Sequence, residues 1–422
     1  MAVLLTALAV VLAVRVCLQP SRVVYAGPLF LMAADVFLPA HARFSDYGQT
    51  SQWEMYFWAA WILLITLAAI LKLGLRPFFR APRPLLAFLM ATVAASIYGY
   101  ALGNEPSYVL RQMYGSGLLF VYFVFAREYP DQGLFLRRTR TYGAVLALSF
   151  LIYYAAVFHE YGVHKEITSV GTQAAIFAIL LAAEGSWKSW RVAALLFLVP
   201  LLLVWRHVIV AVPLALVVLW AMTAKSRFQR WACAGLAAGL VAASLVPSAV
   251  ASILDTALDN AAVDRILPEG ARDSSSIEDR GMELLEAGFV AQESPVLGRG
   301  MGSTLEWSSV TRGDWEQAYI DNGWAYLLTK MGLAGLLTFL WFVGALVRRM
   351  NAACYGPAAG VLTLLLFVMW SEPVFFQFTT APFAGVLAGF VWASKRQARK
   401  TLPGQRPHAI RLQNLHPAHG NG

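Results

Sequence analysis

The sequence predicts an all-α polytopic membrane protein of about 12–13 transmembrane helices with one large late loop on the non-cytoplasmic side. Three observations predict it. Hydrophobic residues make up 59% of the 422 positions and charged residues only 14%, whereas a soluble domain is about one quarter charged. The apolar residues fall in runs near the roughly 20 residues that cross a bilayer. Lys and Arg sit overwhelmingly in alternate connections between those runs, as the positive-inside rule requires. This composition excludes an ordinary soluble enzyme, a disordered chain and a disulfide scaffold.

The runs are 1–14, 23–39, 54–74, 85–103, 112–126, 142–158, 168–184, 192–205, 208–222, 231–254, 322–347, 356–371 and 374–393. The first has no preceding basic cluster, so it reads as a retained span rather than a cleaved signal. One set of connections and the tail together hold 23 of the 33 basic residues, from Arg15 and Arg22 through Arg127, Arg348 and Arg349 to Arg411. That set is the cytoplasmic one. The other set holds nine, among them Arg43, Arg111, Lys165 and Arg206.

The organisation that follows is an N-terminal helix bundle over 1–254, a large outer loop over 255–321, C-terminal spans over 322–393, and a disordered basic cytoplasmic tail over 394–422. Cys17, Cys233 and Cys354 read as small apolar fillers. His408, His416 and His419 belong to the solvated tail, and no metal site is expected. The net charge of +9 arises from cytoplasmic loops that face anionic lipid, not from nucleic-acid binding.

The outer loop differs from the rest. It carries 14 acidic residues against five Arg, and loops beyond about 12–15 residues are often functional. Ser274, Ser275 or Ser276 can cap a helix with Glu278 and Asp279 in its first turn. Met282, Leu285 and Phe289 then share one face, with Glu283 and Glu286 off it. Pro295 and Gly298 end that helix, and Gly300 and Gly302 follow in a tight turn.

Several residues on the outer side carry chemistry. Arg206 in Val204-Trp-Arg-His-Val208, Arg280 and Arg111 are cations suited to an anionic group, because the guanidinium fork binds phosphate oxygens bidentately. Arg265 and Arg299 are weaker candidates of the same kind. Asp321, at the junction of the acidic loop and a long apolar run, is either an acid–base group or the N-cap of the following helix. Asn322 stands beside it. Trp307, Trp315, Tyr319 and Trp324 cluster around it, as a sugar-stacking trough or as an interfacial aromatic belt. Lys330 and Asp35 lie deep in spans and could pair. A P-loop, a Gly-x-Ser-x-Gly elbow and a His-Glu-x-x-His motif are absent from the sequence.

From Ser276 to Arg349 the chain resembles the O-antigen ligase and O-antigen polymerase (Wzy-type) superfamily. The likeness rests on the Arg280 helix, on Pro295-Val-Leu-Gly298-Arg-Gly300, and on Asp321-Asn-Gly-Trp324 leading to Lys330 and Gly332. Asp321 stands where the ligases have His, which favours the polymerase branch. The resemblance implies a metal- and cofactor-independent glycosyltransferase of the bacterial inner membrane, active on the periplasmic face. Its substrate would be an oligosaccharide on undecaprenyl pyrophosphate. Asp321 and Asn322 would be catalytic, Arg206, Arg280 and Arg111 would bind pyrophosphate, and the four aromatics would bind glycan. A flippase and a chain-length regulator are the implied protein partners. A ligase acting on lipid A core or protein, and a transporter of lipid-linked oligosaccharide, are the alternatives.

Overall fold

A computed structural model describes residues 63–64, 66–161, 168–184, 186–202, 206–223, 235, 275–309, 313–317, 320, 322–353, 356–377 and 380–400. The described part is mostly helical. The elements are α1 (Arg76–Phe79), α2 (Arg83–Ala101), α3 (Pro106–Glu128), α4 (Gln132–Tyr161), α5 (Thr168–Glu184), α6 (Trp187–Leu202) and α7 (Arg206–Thr223). They continue with α8 (Ser275–Glu293), β1 (Leu305–Ser309), β2 (Gly313–Gln317), α9 (Gly323–Ala353), α10 (Gly356–Val368) and α11 (Ala381–Lys400). Arg83–Ala101, Pro106–Glu128 and Gly323–Met350 are each long and apolar enough to cross a membrane. The expected runs at 1–14, 23–39 and 231–254, residues 54–62 and 65 of the 54–74 run, the three cysteines, Asp35 and the His-bearing tail lie outside the described residues, apart from Gly235.

Two groups of helices meet in one apolar core. In the first, α11 packs along α3, and α9 packs on α2. Small residues permit this closeness: Gly385 and Gly389 in α11 lie against the backbone of Leu119 and Phe123 in α3. In the second, α5 is surrounded by α4, α6, α7 and α10. Residues 171–182 of α5 are buried on every side, the pattern of a central helix. Phe135 of α4 and Phe177 of α5 join the groups by packing against Phe383 of α11, with ring centroids 6.4 and 5.3 Å apart.

Basic residues gather at one end. Arg127, buried near the end of α3, donates from Nη1 to the Arg80 carbonyl and from Nη2 to the Pro77 carbonyl, both at 2.8 Å. It also donates from Nε to Glu128 at 2.9 Å. The guanidinium therefore gives the Arg80 carbonyl a donor and adds a second donor to the Pro77 carbonyl, which also accepts from the Arg80 N–H at 3.2 Å. Arg349 lies over the Trp392 ring at 4.9 Å, and Arg140 pairs with Glu184 at 3.5 Å. Arg127→Ala is expected to destabilise the protein by about 3 kcal/mol. Arg127→Lys should restore only part, since one ammonium cannot reproduce the fork. Thermal unfolding in detergent reads both.

Five expectations change. The fold is not purely helical: residues Leu305–Ser309 and Gly313–Gln317 form an antiparallel hairpin with Trp307 opposite Trp315 and Glu306 opposite Glu316. The 322–347 run is not one straight span. At Gly332 the backbone takes φ 59°, ψ −155°, and the Trp324 ring reaches within 6.1 Å of the Phe339 ring. A straight helix would hold those two residues about 22 Å apart along its axis, so residues 323–331 fold sharply back on 333–353. The 374–393 run begins late: residues 369–377 are irregular, and α11 starts at Ala381. The same helix continues to Lys400, past the position where the tail was expected to begin.

The last correction concerns α8. Its buried face is Glu283, Ala287 and Val290, while Leu285 is 52% and Phe289 49% exposed. The amphipathic pattern was thus assigned to the wrong side. Small residues let the Glu283 face approach α9, where its carboxylate finds a partner, and the larger apolar residues turn outward.

Candidate functional site

The site is built around Asn322, at the start of α9. The Asn322 side chain caps the helix: its Oδ1 accepts from the N–H groups of Trp324 and Ala325 at 2.9 and 3.1 Å. The N-cap role open to Asp321 in the sequence is thus filled by Asn322. The backbone N–H of Asn322 donates to Glu283 Oε2 at 3.0 Å, and both residues are fully buried. Its Nδ2 is buried and has no hydrogen-bond partner. On the other side, the Gly323 N–H donates to the Met369 carbonyl at 2.7 Å. That contact places the buried Glu372 beside the helix start, where its carbonyl lies 3.0 Å from where a Cβ on Gly323 would be. Gln377 donates to the Glu372 carboxylate at 3.3 Å.

Two irregular segments flank this helix start. The first is Ser294–Ser303. Gly298, Gly300 and Gly302 take φ of 61°, 79° and 82°, a region closed to most side chains. The turn is plugged into the bundle through its backbone. Arg299 N–H donates to the Thr329 carbonyl at 2.8 Å and Met301 N–H to the Ala95 carbonyl at 3.0 Å. Gly302 N–H donates to Gln112 Oε1 at 2.6 Å. Asn104 Nδ2 donates to the Arg299 and Met301 carbonyls at 3.1 and 2.9 Å. At the break in α9, Leu333 and Ala334 donate to the Pro295 and Val296 carbonyls at 2.8 and 3.1 Å. The glycine turn therefore spends its N–H groups on the fold and is not an anion cradle. The second segment is Met369–Gln377, whose Phe376 stacks near Tyr326, with centroids 4.7 Å apart.

Lys330 is fully buried, and its Nζ donates to the Ser303 carbonyl, tying α9 to the glycine turn. The expected partner, Asp35, lies outside the described residues. Arg111 is half buried on α3, one residue before Gln112. Arg280 lies in α8 three residues, and so about one turn, before Glu283, and Arg206 opens α7. Trp324 packs edge-on against Phe339, and Trp307 and Trp315 are directly opposed in the hairpin. Asp321 and Tyr319 lie outside the described residues. Arg299 pairs with exposed Glu293 at 3.2 Å, an interaction of small energetic weight.

Sequence reasoning missed Glu283 and Glu372. Glu283 looked like the solvated side of an amphipathic helix. Glu372 stood between two apolar runs, beside Pro373, where a carboxylate reads as a loop residue. Among the described residues, no cluster of His, Cys, Asp and Glu could hold a metal. No protein-family model matches the chain, and no curated protein matches it.

Glu283 makes a testable claim on this geometry. Glu283→Gln keeps an oxygen for the Asn322 N–H and should retain most stability. Glu283→Ala leaves that buried N–H unpaired and should cost about 1–3 kcal/mol, read as a lower unfolding temperature.

Proposed function

We propose that this protein is a polytopic inner-membrane glycosyltransferase that polymerises polysaccharide on the periplasmic face. It would move a growing glycan from one undecaprenyl pyrophosphate to the non-reducing end of a lipid-linked repeat unit. The product would be O-antigen, capsule or exopolysaccharide. The observation that carries the reading is the division of labour at the start of α9. Asn322 caps the helix and is anchored by buried Glu283, which leaves the neighbouring Asp321 available for acid–base work.

The placement of charge supports the same reading. Arg80, Arg127 and Arg349 lie at one end of the bundle, as a cytoplasmic face would have them. The other end, where the glycine turn packs on Gly99 and Asn104, would then be periplasmic. Irregular backbone buried between spanning helices, as in Ser294–Ser303 and Met369–Gln377, is tolerated at membrane depth only inside protein or along a cavity, and broken helices often mark substrate sites. The outward Leu285, Phe289 and Val296, the last 66% exposed, fit the boundary between headgroups and acyl chains.

In this mechanism Asp321 orients and deprotonates the acceptor hydroxyl, and the oxygen attacks the anomeric carbon of the donor sugar. The bond from that carbon to the pyrophosphate oxygen breaks, and undecaprenyl pyrophosphate leaves with the electron pair. Arg280, Arg206 and Arg111 would stabilise the leaving charge. Trp307, Trp315, Tyr319 and Trp324 would contact the glycan.

Deletion of the protein from its source tests the reading. A polymerase predicts single lipid-linked repeats accumulating on the periplasmic side. Accumulation on the cytoplasmic side would instead support a transporter. Full-length chains that remain lipid-linked would support a ligase.

A further inference from the structure

Some arginines at the basic end are consumed by the fold. Arg127 is spent on the Pro77 and Arg80 carbonyls and on Glu128, with which it pairs at 2.8 Å. Arg140 pairs with Glu184, and Arg191 and Arg349 lie over the Trp187 and Trp392 rings. Around α1 the cations are left over. Lys72, Arg76, Arg80 and Arg83 are all exposed, and none pairs with a carboxylate among the described residues. The sequence has no acidic residue between Glu54 and Glu105 to balance them.

The α1 turn holds two of these cations in a fixed arrangement. Phe78 points inward and packs on Phe120 of α3, with ring centroids 6.0 Å apart. Arg127 grips the same turn through the Pro77 and Arg80 carbonyls. Arg76, Phe79 and Arg80 stand at i, i+3 and i+4, so they share the face away from Phe78. Phe79 is 78% exposed, and Leu75 is 56% exposed. Like charges at that spacing repel one another. The anchored turn therefore presents uncompensated positive charge beside an exposed ring. The helices on either side continue its apolar surface: Leu67 and Leu71 before α1, and Met90 and Ile97 in α2, are exposed. The turn sits where that apolar surface gives way to charge.

We propose that the Arg76–Arg80 turn binds the headgroup of an anionic phospholipid of the cytoplasmic leaflet. The two guanidiniums take the phosphate oxygens, for which their planar forks are suited. Lys72 and Arg83 add attraction along the chain. Phe79 and Leu75 enter the boundary between headgroups and acyl chains. A phosphate between Arg76 and Arg80 also removes their mutual repulsion. The proposal is independent of the glycosyltransferase reading and requires only that α2 and α3 span the membrane.

The test uses the full-length protein in detergent, with phosphatidylglycerol, phosphatidylcholine and inorganic phosphate as separate probes. Native mass spectrometry reads retained lipid. The wild type should retain phosphatidylglycerol in preference to phosphatidylcholine. With Arg76→Gln and Arg80→Gln combined, phosphatidylglycerol retention should fall about 25-fold, or about fivefold per charge. Phosphatidylcholine retention should not change. Arg137→Gln combined with Arg348→Gln removes two exposed charges from α4 and α9 and should leave retention near the wild-type value. Unchanged phosphatidylglycerol retention in the α1 variant would overturn the proposal. So would an equal loss in the charge-matched variant, which would make the effect one of net charge. Phosphatidylglycerol should raise the melting temperature of the wild type more than inorganic phosphate does. An equal rise would assign the turn to a free anion and overturn the lipid as its ligand. The replaced side chains are all exposed, so both variants should melt near the wild-type temperature without lipid.

Discussion

Asp321→Ala, inserted in the membrane at the wild-type level, is expected to lower polymerisation by a factor of about 100 or more, the usual contribution of a positioned general base. Its melting temperature should stay close to that of the wild type. The second expectation follows from the cap. Were Asp321 the residue holding the start of α9, its loss would cost about 1 kcal/mol of helix stability. The described geometry gives that work to Asn322, whose Oδ1 receives the Trp324 and Ala325 N–H groups. Asn322→Ala should therefore show the opposite balance, with a measurable drop in melting temperature. Activity per mole and unfolding temperature, measured on the same preparations, separate the two residues. If Asp321→Ala unfolds early and Asn322→Ala does not, the assignment is reversed.

The largest effect on stability is expected at Gly300. Its φ of 79° strains any L side chain, and an added Cβ would fall on the Cα of Gly99 in α2. The left-handed conformation costs about 1–2 kcal/mol and forced overpacking about 1–3 kcal/mol more. Both neighbours are backbone, so neither can yield by changing rotamer. Gly300→Ala should lose the plugged turn, and with it the hydrogen bonds from Met301 to Ala95 and from Gly302 to Gln112. The reading is aggregation or early melting in detergent, with activity lost in proportion. Gly117→Ala in α3 is the control: nothing lies within 4 Å of its Cβ position, so it should be neutral or slightly stabilising. Equal behaviour of the two variants would show that the turn is not held as described.

Much of the helical framework was legible because apolar runs impose it. The runs at 168–184, 208–222 and 85–103 fall within one or two residues of α5, α7 and α2 at each boundary. What the sequence concealed follows from the same rule: a long apolar run does not say where it bends. Met331-Gly332-Leu333 reads as continuous helix. The carbonyls of Pro295 and Val296, each 38 residues before the N–H it accepts, take up the Leu333 and Ala334 donors freed at the break. The 374–393 run failed at its start because Pro373, Val374 and Phe375 pack as irregular chain while remaining as apolar as any helix.

The site was half legible. Asp321, Asn322 and the glycine turn stood out by residue type and by resemblance; Asp321 lies outside the described residues, and the geometry gives the other two work in the fold. The glycines serve close backbone approach. Asn322 is the helix cap, and Glu283 is its buried anchor. The face of α8 was misread because periodicity assumes water on the polar side, and Glu283 instead meets a backbone N–H within the protein. The hairpin went unseen because each strand has only five residues, too few for its period-two alternation to stand out.

The most direct test of the central claim is reconstitution. Purified protein is incubated with lipid-linked oligosaccharide from its native pathway, without other acceptor, and the products are separated on a gel. The account predicts a ladder spaced by one repeat unit, absent with Asp321→Ala. A folded wild-type protein that yields no ladder from authentic substrate, or that makes a single transfer only once lipid A core is supplied, would contradict it.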